Sequence, residues 1–89
     1  MPINIYNEKN NEKLAWLCDE IWDLPQQVYE LENWLESTGK NLPTGEYVAD
    51  IGFGIRNDAN GGGGVISKKM MDIMSQIGME IYLSEYHEK

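Results

Sequence analysis

A chain of 89 residues with 15 carboxylates against 7 lysines and arginines carries a formal charge of −8, a balance that excludes binding of nucleic acid or an anionic membrane through phosphate contacts. Its length allows one hydrophobic core and one compact domain over residues 1–89, with no room for a catalytic annex. A single cysteine, Cys18, excludes an intrachain disulfide, so a reducing, cytoplasmic setting is expected.

Residues 1–11 hold no basic stretch followed by an apolar one, and nowhere do about 18 apolar residues run together, so neither a leader nor a membrane span is expected. Ile3 and Ile5 alternate with polar neighbours and predict a short strand, at an edge because of Pro2. Asn7 to Asn11 reads as a polar turn. From Glu12 onward Leu14, Leu17, Cys18 and Ile21 fall at the spacing of one helix face and predict a first helix.

Asp23 is placed to cap a second helix, with Pro25 in its first turn and Gln26 in a capping-box position. Val28, Leu31 and Leu35 are its buried stripe, and Thr38-Gly39 its stop. Glu46 to Arg56 has the cleanest strand pattern in the chain, with Tyr47, Ala49, Ile51, Phe53 and Ile55 on one face. Gly52 and Gly54 on the other face point to a bulge or a close approach by another element.

Asn57 to Gly64 is a loop by composition. Ser67 caps a helix with Met70, Met71, Ile73, Met74 and Ile77 as its apolar positions, with Ile66 and Met71 suited to a hydrophobic staple. After Gly78, Met79, Ile81 and Leu83 alternate with polar residues as a last strand, and Glu85 to Lys89 is expected to fray. The fold class is therefore α+β, or small α/β, in the order β-α-α-β-α-β, with helices packed on one face of a small sheet. If the last two strands are neighbours, the helix between them makes them parallel.

Motifs for chemistry fail one by one. Gly61 to Gly64 precede a helix but are not followed by the Gly-Lys-Ser/Thr of a phosphate loop, so a flexible connector is preferred to a nucleotide site. Counting a calcium loop from Asp58 puts Gly62 and Lys69 where ligands are required. Cys18 reads as a small buried hydrophobe and His87 as a mobile terminal residue, which leaves no nucleophile and base in reach of each other. The paired carboxylates read as a solvated helix surface. No catalytic residue, metal ligand or cofactor is assigned, and the chain is not expected to be an enzyme.

The acidity is unevenly distributed. Leu14 to Gly39 holds Asp19, Glu20, Asp23, Glu30, Glu32 and Glu36 without one lysine or arginine. On the predicted helices, at about 100° per residue, Trp16, Asp19, Glu20 and Asp23 fall opposite the Leu14 stripe, and Glu30 and Trp34 fall away from Leu31 and Leu35. Two readings stand for Trp16 and Trp34: an interaction hot spot among acids facing a basic partner, or burial on a second side of their helices. Tyr82 and Tyr86 share one strand face and carry the same two readings.

The strand Tyr47-Val48-Ala49-Asp50-Ile51-Gly52-Phe53, the glycine loop, Val65-Ile66-Ser67 opening a helix that ends at Ile77-Gly78, and Ile81-Tyr82-Leu83-Ser84-Glu85-Tyr86 together form a pattern. With Leu31-x-x-Trp34-Leu35, it resembles the C-terminal half of a bacterial domain family of unknown function found among immunity-protein-like genes. The resemblance covers roughly residues 24–86, and that family's longer N-terminal β portion has no counterpart in this chain. Size, acidity and layout also resemble barstar-type nuclease inhibitors, by analogy of type only.

The acidic helix faces, with the resemblance in support, lead to the expectation of a small acidic inhibitor or immunity-type protein that blocks a basic toxin or nucleic-acid enzyme by protein–protein contact. Its expected contact residues are Trp16, Asp19, Glu20, Asp23, Glu30 and Trp34. The alternative is a structural or self-associating subunit.

Overall fold

A computed structural model describes residues 2–87; the expectations for Met1, Glu88 and Lys89 lie outside the described residues. The chain forms β1 (Ile3–Asn7), β2 (Lys13–Leu17), α1 (Leu24–Ser37), a 3₁₀ turn (Gly39–Asn41), β3 (Tyr47–Gly54), α2 (Lys68–Ile77) and β4 (Met79–Tyr86). It is a small α+β domain with both helices packed against one four-stranded sheet, in the strand order β2-β1-β3-β4. No helix among the described residues is long and apolar enough to cross a membrane.

The element after the first strand is a strand where the helical spacing predicts a helix, and the observed order is β-β-α-β-α-β. Side-chain hydrogen bonds decide the outcome. Asn7 Oδ1 accepts from Lys9 N at 2.9 Å, and Asn10 Oδ1 accepts from Glu12 N at 2.9 Å. Asn11 takes a left-handed φ of 59°, a conformation that asparagine tolerates better than most residues. These bonds reverse the chain and deliver Lys13 to Leu17 antiparallel onto β1, with Ile3 opposite Leu17 and Ile5 opposite Ala15. Cross-strand pairing and burial outweigh the helical spacing. Ala15 and Leu17 face the helices, Trp16 faces away, and Cys18, at φ 58°, turns the chain out of the strand.

β1, expected at an edge because of Pro2, is instead interior between β2 and β3, since Pro2 precedes the strand and leaves its ladder intact. The remaining elements form where their signals place them. Asp23 caps α1 by accepting from Gln26 N at 3.3 Å, although the Gln26 side chain donates onward to Glu30 at 3.0 Å instead of closing a capping box. Val28, Leu31 and Leu35 are buried, and full burial of a leucine stabilises by about 1.5–3 kcal/mol. Ser67 caps α2 by accepting from Met70 N at 3.1 Å. Met70, Met74 and Ile77 are buried, whereas Ile66 and Met71 both remain exposed. Lys69 and Glu36 join the two helices at 3.6 Å.

β3 pairs with β1 antiparallel and with β4 parallel, so Tyr47, Ala49 and Ile51 meet Ile3, Ile5 and Met79 beneath the helices. β4 runs on through Glu85 and Tyr86, which were expected to fray, because Ile55 N donates to Tyr86 O at 3.1 Å. Gly78 makes the junction between α2 and β4. It ends the helix at φ 86°, and a Cβ there would stand 2.0 Å from Gly45 O. Only glycine fits so close an approach in that conformation.

Candidate functional site

The helices cover one face of the sheet and leave the other open. Strand alternation sends the odd residues of β1, β3 and β4 to the helices and the even ones outward. Register then composes a row across the open face: Trp16 on β2 lies opposite Asn4 on β1, Asn4 opposite Asp50 on β3, and Asp50 opposite Tyr82 on β4. At about 4.8 Å per strand, the two aromatic ends stand roughly 14 Å apart with a polar centre between them. Next to this row Val48, flanked in register by Tyr6 and Glu80, is fully buried.

The polar centre combines the Asp50 carboxylate, the Asn4 amide and the Ser84 hydroxyl. Ser84 Oγ donates to Asp50 Oδ1 at 2.8 Å. Asn4 Oδ1 is buried and has no hydrogen-bond partner among the described residues. A crevice lined by Asn4, Tyr6, Asn11, Lys13 and Asp50 opens onto it. Trp16 is 44% exposed; its indole Nε1 donates to Asp19 Oδ1 at 3.2 Å, and the Lys13 ammonium sits 4.4 Å from its ring centroid.

At the other end of the face, Tyr82, 40% exposed, donates its hydroxyl to Glu8 Oε2 at 3.2 Å. The negative charge of Glu8, and then that hydrogen bond, raise the Tyr82 hydroxyl above the ordinary tyrosine range. Tyr86 lies over Gly52, where an added Cβ would stand 2.9 Å from its ring, so the close approach expected at the β3 glycines is that of an aromatic side chain. Trp22 meets Tyr86 edge to face at 5.7 Å and 86°, a geometry that suits the ring quadrupoles.

The six expected contact residues do not share one surface, because two of them belong to α1 and the first helix is absent. Trp16 and Asp19 are joined on the open face. Glu20 is exposed in the turn that follows β2, and Asp23 caps α1. Glu30 is partly buried on α1, bonded to Gln26. Trp34 is packed against the core, its ring over Gly39 with Cζ3 2.7 Å from an added Cβ. Trp34 is thus partly buried, neither enclosed nor fully on the surface.

Sequence reasoning missed Trp22, Asn4 and Asp50. Trp22 carries no periodic signal, being in a turn, and the Asn4–Asp50 neighbourhood depends on pairing between segments far apart in the chain.

Cys18 is partly buried, and burial, followed by the negative charge of Glu30, pushes its thiol up. Gln27 is fully buried and donates through Nε2 to Ile21 O at 2.7 Å and Gly52 O at 2.8 Å, tying the turn after β2 to β3 beneath α1. At the N-terminus of α2 the chain supplies its own anion, since Glu32 accepts from Ser67 Oγ at 3.1 Å. The glycine run before it is held by Arg56, whose Nη2 donates to Gly61 O at 3.3 Å and Gly62 O at 3.0 Å. Comparison with protein-family models, curated proteins and solved structures finds no match. The structure thus defines a class by architecture alone: a two-layer α+β domain with one sheet face covered and one open.

Proposed function

We propose that this chain is a cytoplasmic acidic inhibitor of the immunity type, which binds a basic toxin or nucleic-acid enzyme through the open face of its sheet. The observation that carries this reading is that face itself: Trp16, Trp22, Tyr82 and Tyr86 all stand exposed on one side of a sheet that no helix covers. Exposed aromatics gathered on one surface mark interaction sites, and tryptophan and tyrosine are the residues that most often dominate binding energy.

The partner's chemistry follows from what surrounds the rings. Asp19, Asp50, Glu8 and Glu80 border them, Lys13 is occupied on Trp16, and Asn4 Oδ1 lacks a donor. Arginine and lysine side chains of a partner would supply donors to these acceptors and stack on the aromatic faces. Trp16 and Asp19 form one end of the contact, Asn4 and Asp50 its polar centre, Trp22, Tyr82 and Tyr86 its other end, and Glu20 and Asp23 its acidic rim. Glu30 and Trp34 serve packing.

A photo-crosslinking amino acid at Trp16, introduced in the native host, tests this, with the same group at the exposed helix residue Ser75 as control. The expected product is a basic protein captured from position 16 and not from position 75, whose affinity for the purified chain falls as salt rises. Capture of only acidic proteins, or equal capture from both positions, refutes the reading.

A further inference from the structure

We infer that β4 is a self-pairing edge, along which two copies of this chain join antiparallel about a two-fold axis at Tyr82, so that two four-stranded sheets become one continuous sheet. This does not rest on the proposed inhibitor role.

The first ground is an open hydrogen-bonding row. β4 is paired on one side only, with β3. Gly78 O and Tyr86 O accept from Tyr47 N and Ile55 N, so the even positions of β4 direct their backbone groups toward β3. By alternation Ile81, Leu83 and Glu85 direct their N–H and C=O groups away from the sheet.

The second ground is the contrast between the two edges. β2, at the opposite edge, combines several devices against sheet extension: it is five residues long, its register slips opposite Ile5 and Tyr6, it carries Lys13, and it ends at left-handed Cys18. β4 has eight residues in unbroken register with β3, without proline or bulge; its charges are Glu80 and Glu85 alone, on opposite faces, and Leu83 between them is 59% exposed. A long, regular, partly apolar edge is a template for another strand.

The third ground selects a second copy as the occupant. Directly opposed residues of an antiparallel pair point to the same face, so a two-fold axis must fall on a residue. Placed on Tyr82, it sets Ile81 against Leu83 of the partner subunit, twice, on the helix side. It sets Glu80 against the partner's Ser84 and Met79 against the partner's Glu85, so that no carboxylate opposes another. Tyr82 meets its own copy as a non-hydrogen-bonded pair, which agrees with its backbone groups being engaged with β3. An unrelated peptide would gain the main-chain bonds without these matched pairs. Two chains of charge −8 repel, so this dimer strengthens with salt, opposite to the contact proposed with a basic partner.

Sedimentation velocity over a concentration series at low and high salt reads the association. The expected result is a monomer–dimer equilibrium that tightens with salt and weakens roughly tenfold or more in Leu83→Lys, which loses two cross-strand apolar pairs. Disulfide trapping on a Cys18→Ser background reads the register. Tyr82→Cys places two sulfur-bearing residues on the axis with Cα atoms about 4.5 Å apart, within disulfide reach. Glu85→Cys places them roughly 20 Å apart. Covalent dimer from the first and not the second supports the inference. A wild-type chain that stays monomeric to about 1 mM in high salt, equal trapping at both positions, or an unweakened dimer in a folded Leu83→Lys overturns it.

Discussion

Replacing Gly78 by alanine tests how tightly the start of β4 is fixed. Gly78 sits at φ 86°, and its added Cβ would stand 2.0 Å from Gly45 O and 3.1 Å from Gly45 C. The left-handed conformation alone costs an alanine about 1–2 kcal/mol. The contact cannot be met by rotating a side chain, because both partners are backbone; relief requires Gly45 and Gly78 to separate by more than about 1 Å before ordinary van der Waals distance is reached.

That separation strains two bonds, Gly45 N to Ile77 O and Tyr47 N to Gly78 O, each 2.9 Å, worth about 0.5–1.5 kcal/mol apiece. The sum is about 2–5 kcal/mol, against a total stability of roughly 4–13 kcal/mol for a domain of this length. Urea unfolding followed by circular dichroism should show the loss, and thermal unfolding a midpoint lowered by about 10 °C or more. A Gly78→Ala variant within about 1 kcal/mol of wild type would mean that the α2–β4 junction yields freely, and the close-approach argument would fail.

Two titrations follow from the charge layout. Glu8→Gln should lower the Tyr82 ionisation midpoint toward the ordinary tyrosine value, read by NMR of the ring carbon bearing the hydroxyl; an unmoved midpoint would show that Glu8 is not its neighbour in solution. The sign for wild type follows from the raised pKa: the Tyr82–Glu8 contact contributes below the unfolded tyrosine pKa and is lost as pH rises through the higher folded one. Cys18 should react with a disulfide reagent at neutral pH more slowly than a free cysteine does, and Glu30→Gln should speed it; a wild-type rate equal to that of the free thiol contradicts the burial and charge that raise it.

Elements whose ends carry their own chemistry were legible in the sequence. Asp23 and Ser67 mark both helix starts, Gly78 marks a helix end, and the alternation from Tyr47 to Ile55 marks a strand, since each signal acts over a few residues. The second element was not legible. Leu14, Leu17, Cys18 and Ile21 fit a helix face by spacing, and only the asparagine turn before them, whose side chains close on Lys9 and Glu12, carries the hairpin instruction.

The error passed into the site. Trp16 points away from the apolar stripe of the predicted helix and away from the covered face of the sheet, but with different company: beside Asn4 and Asp50 across a sheet, not beside Glu20 and Asp23 along a helix. Trp34 looks outward on a helical wheel, yet the chain folds back at Gly39 against its ring and leaves it partly buried. Neither fact can be read without the tertiary pairing.

The strand order also constrains the sequence of events in folding. β1 and β2 form a local hairpin, but β1 lies in the interior of the sheet, and its other neighbour, β3, begins at Tyr47. Until that distant segment arrives, one side of β1 has no ladder and Ile3 and Ile5 have no completed core. Closing a loop of this length costs entropy before the β1–β3 bonds return anything. The docking of β3 onto the β1–β2 hairpin is therefore the step expected to limit folding. Mutations at the Ile3–Ile51 and Ile5–Ala49 pairs should slow refolding more than they hasten unfolding.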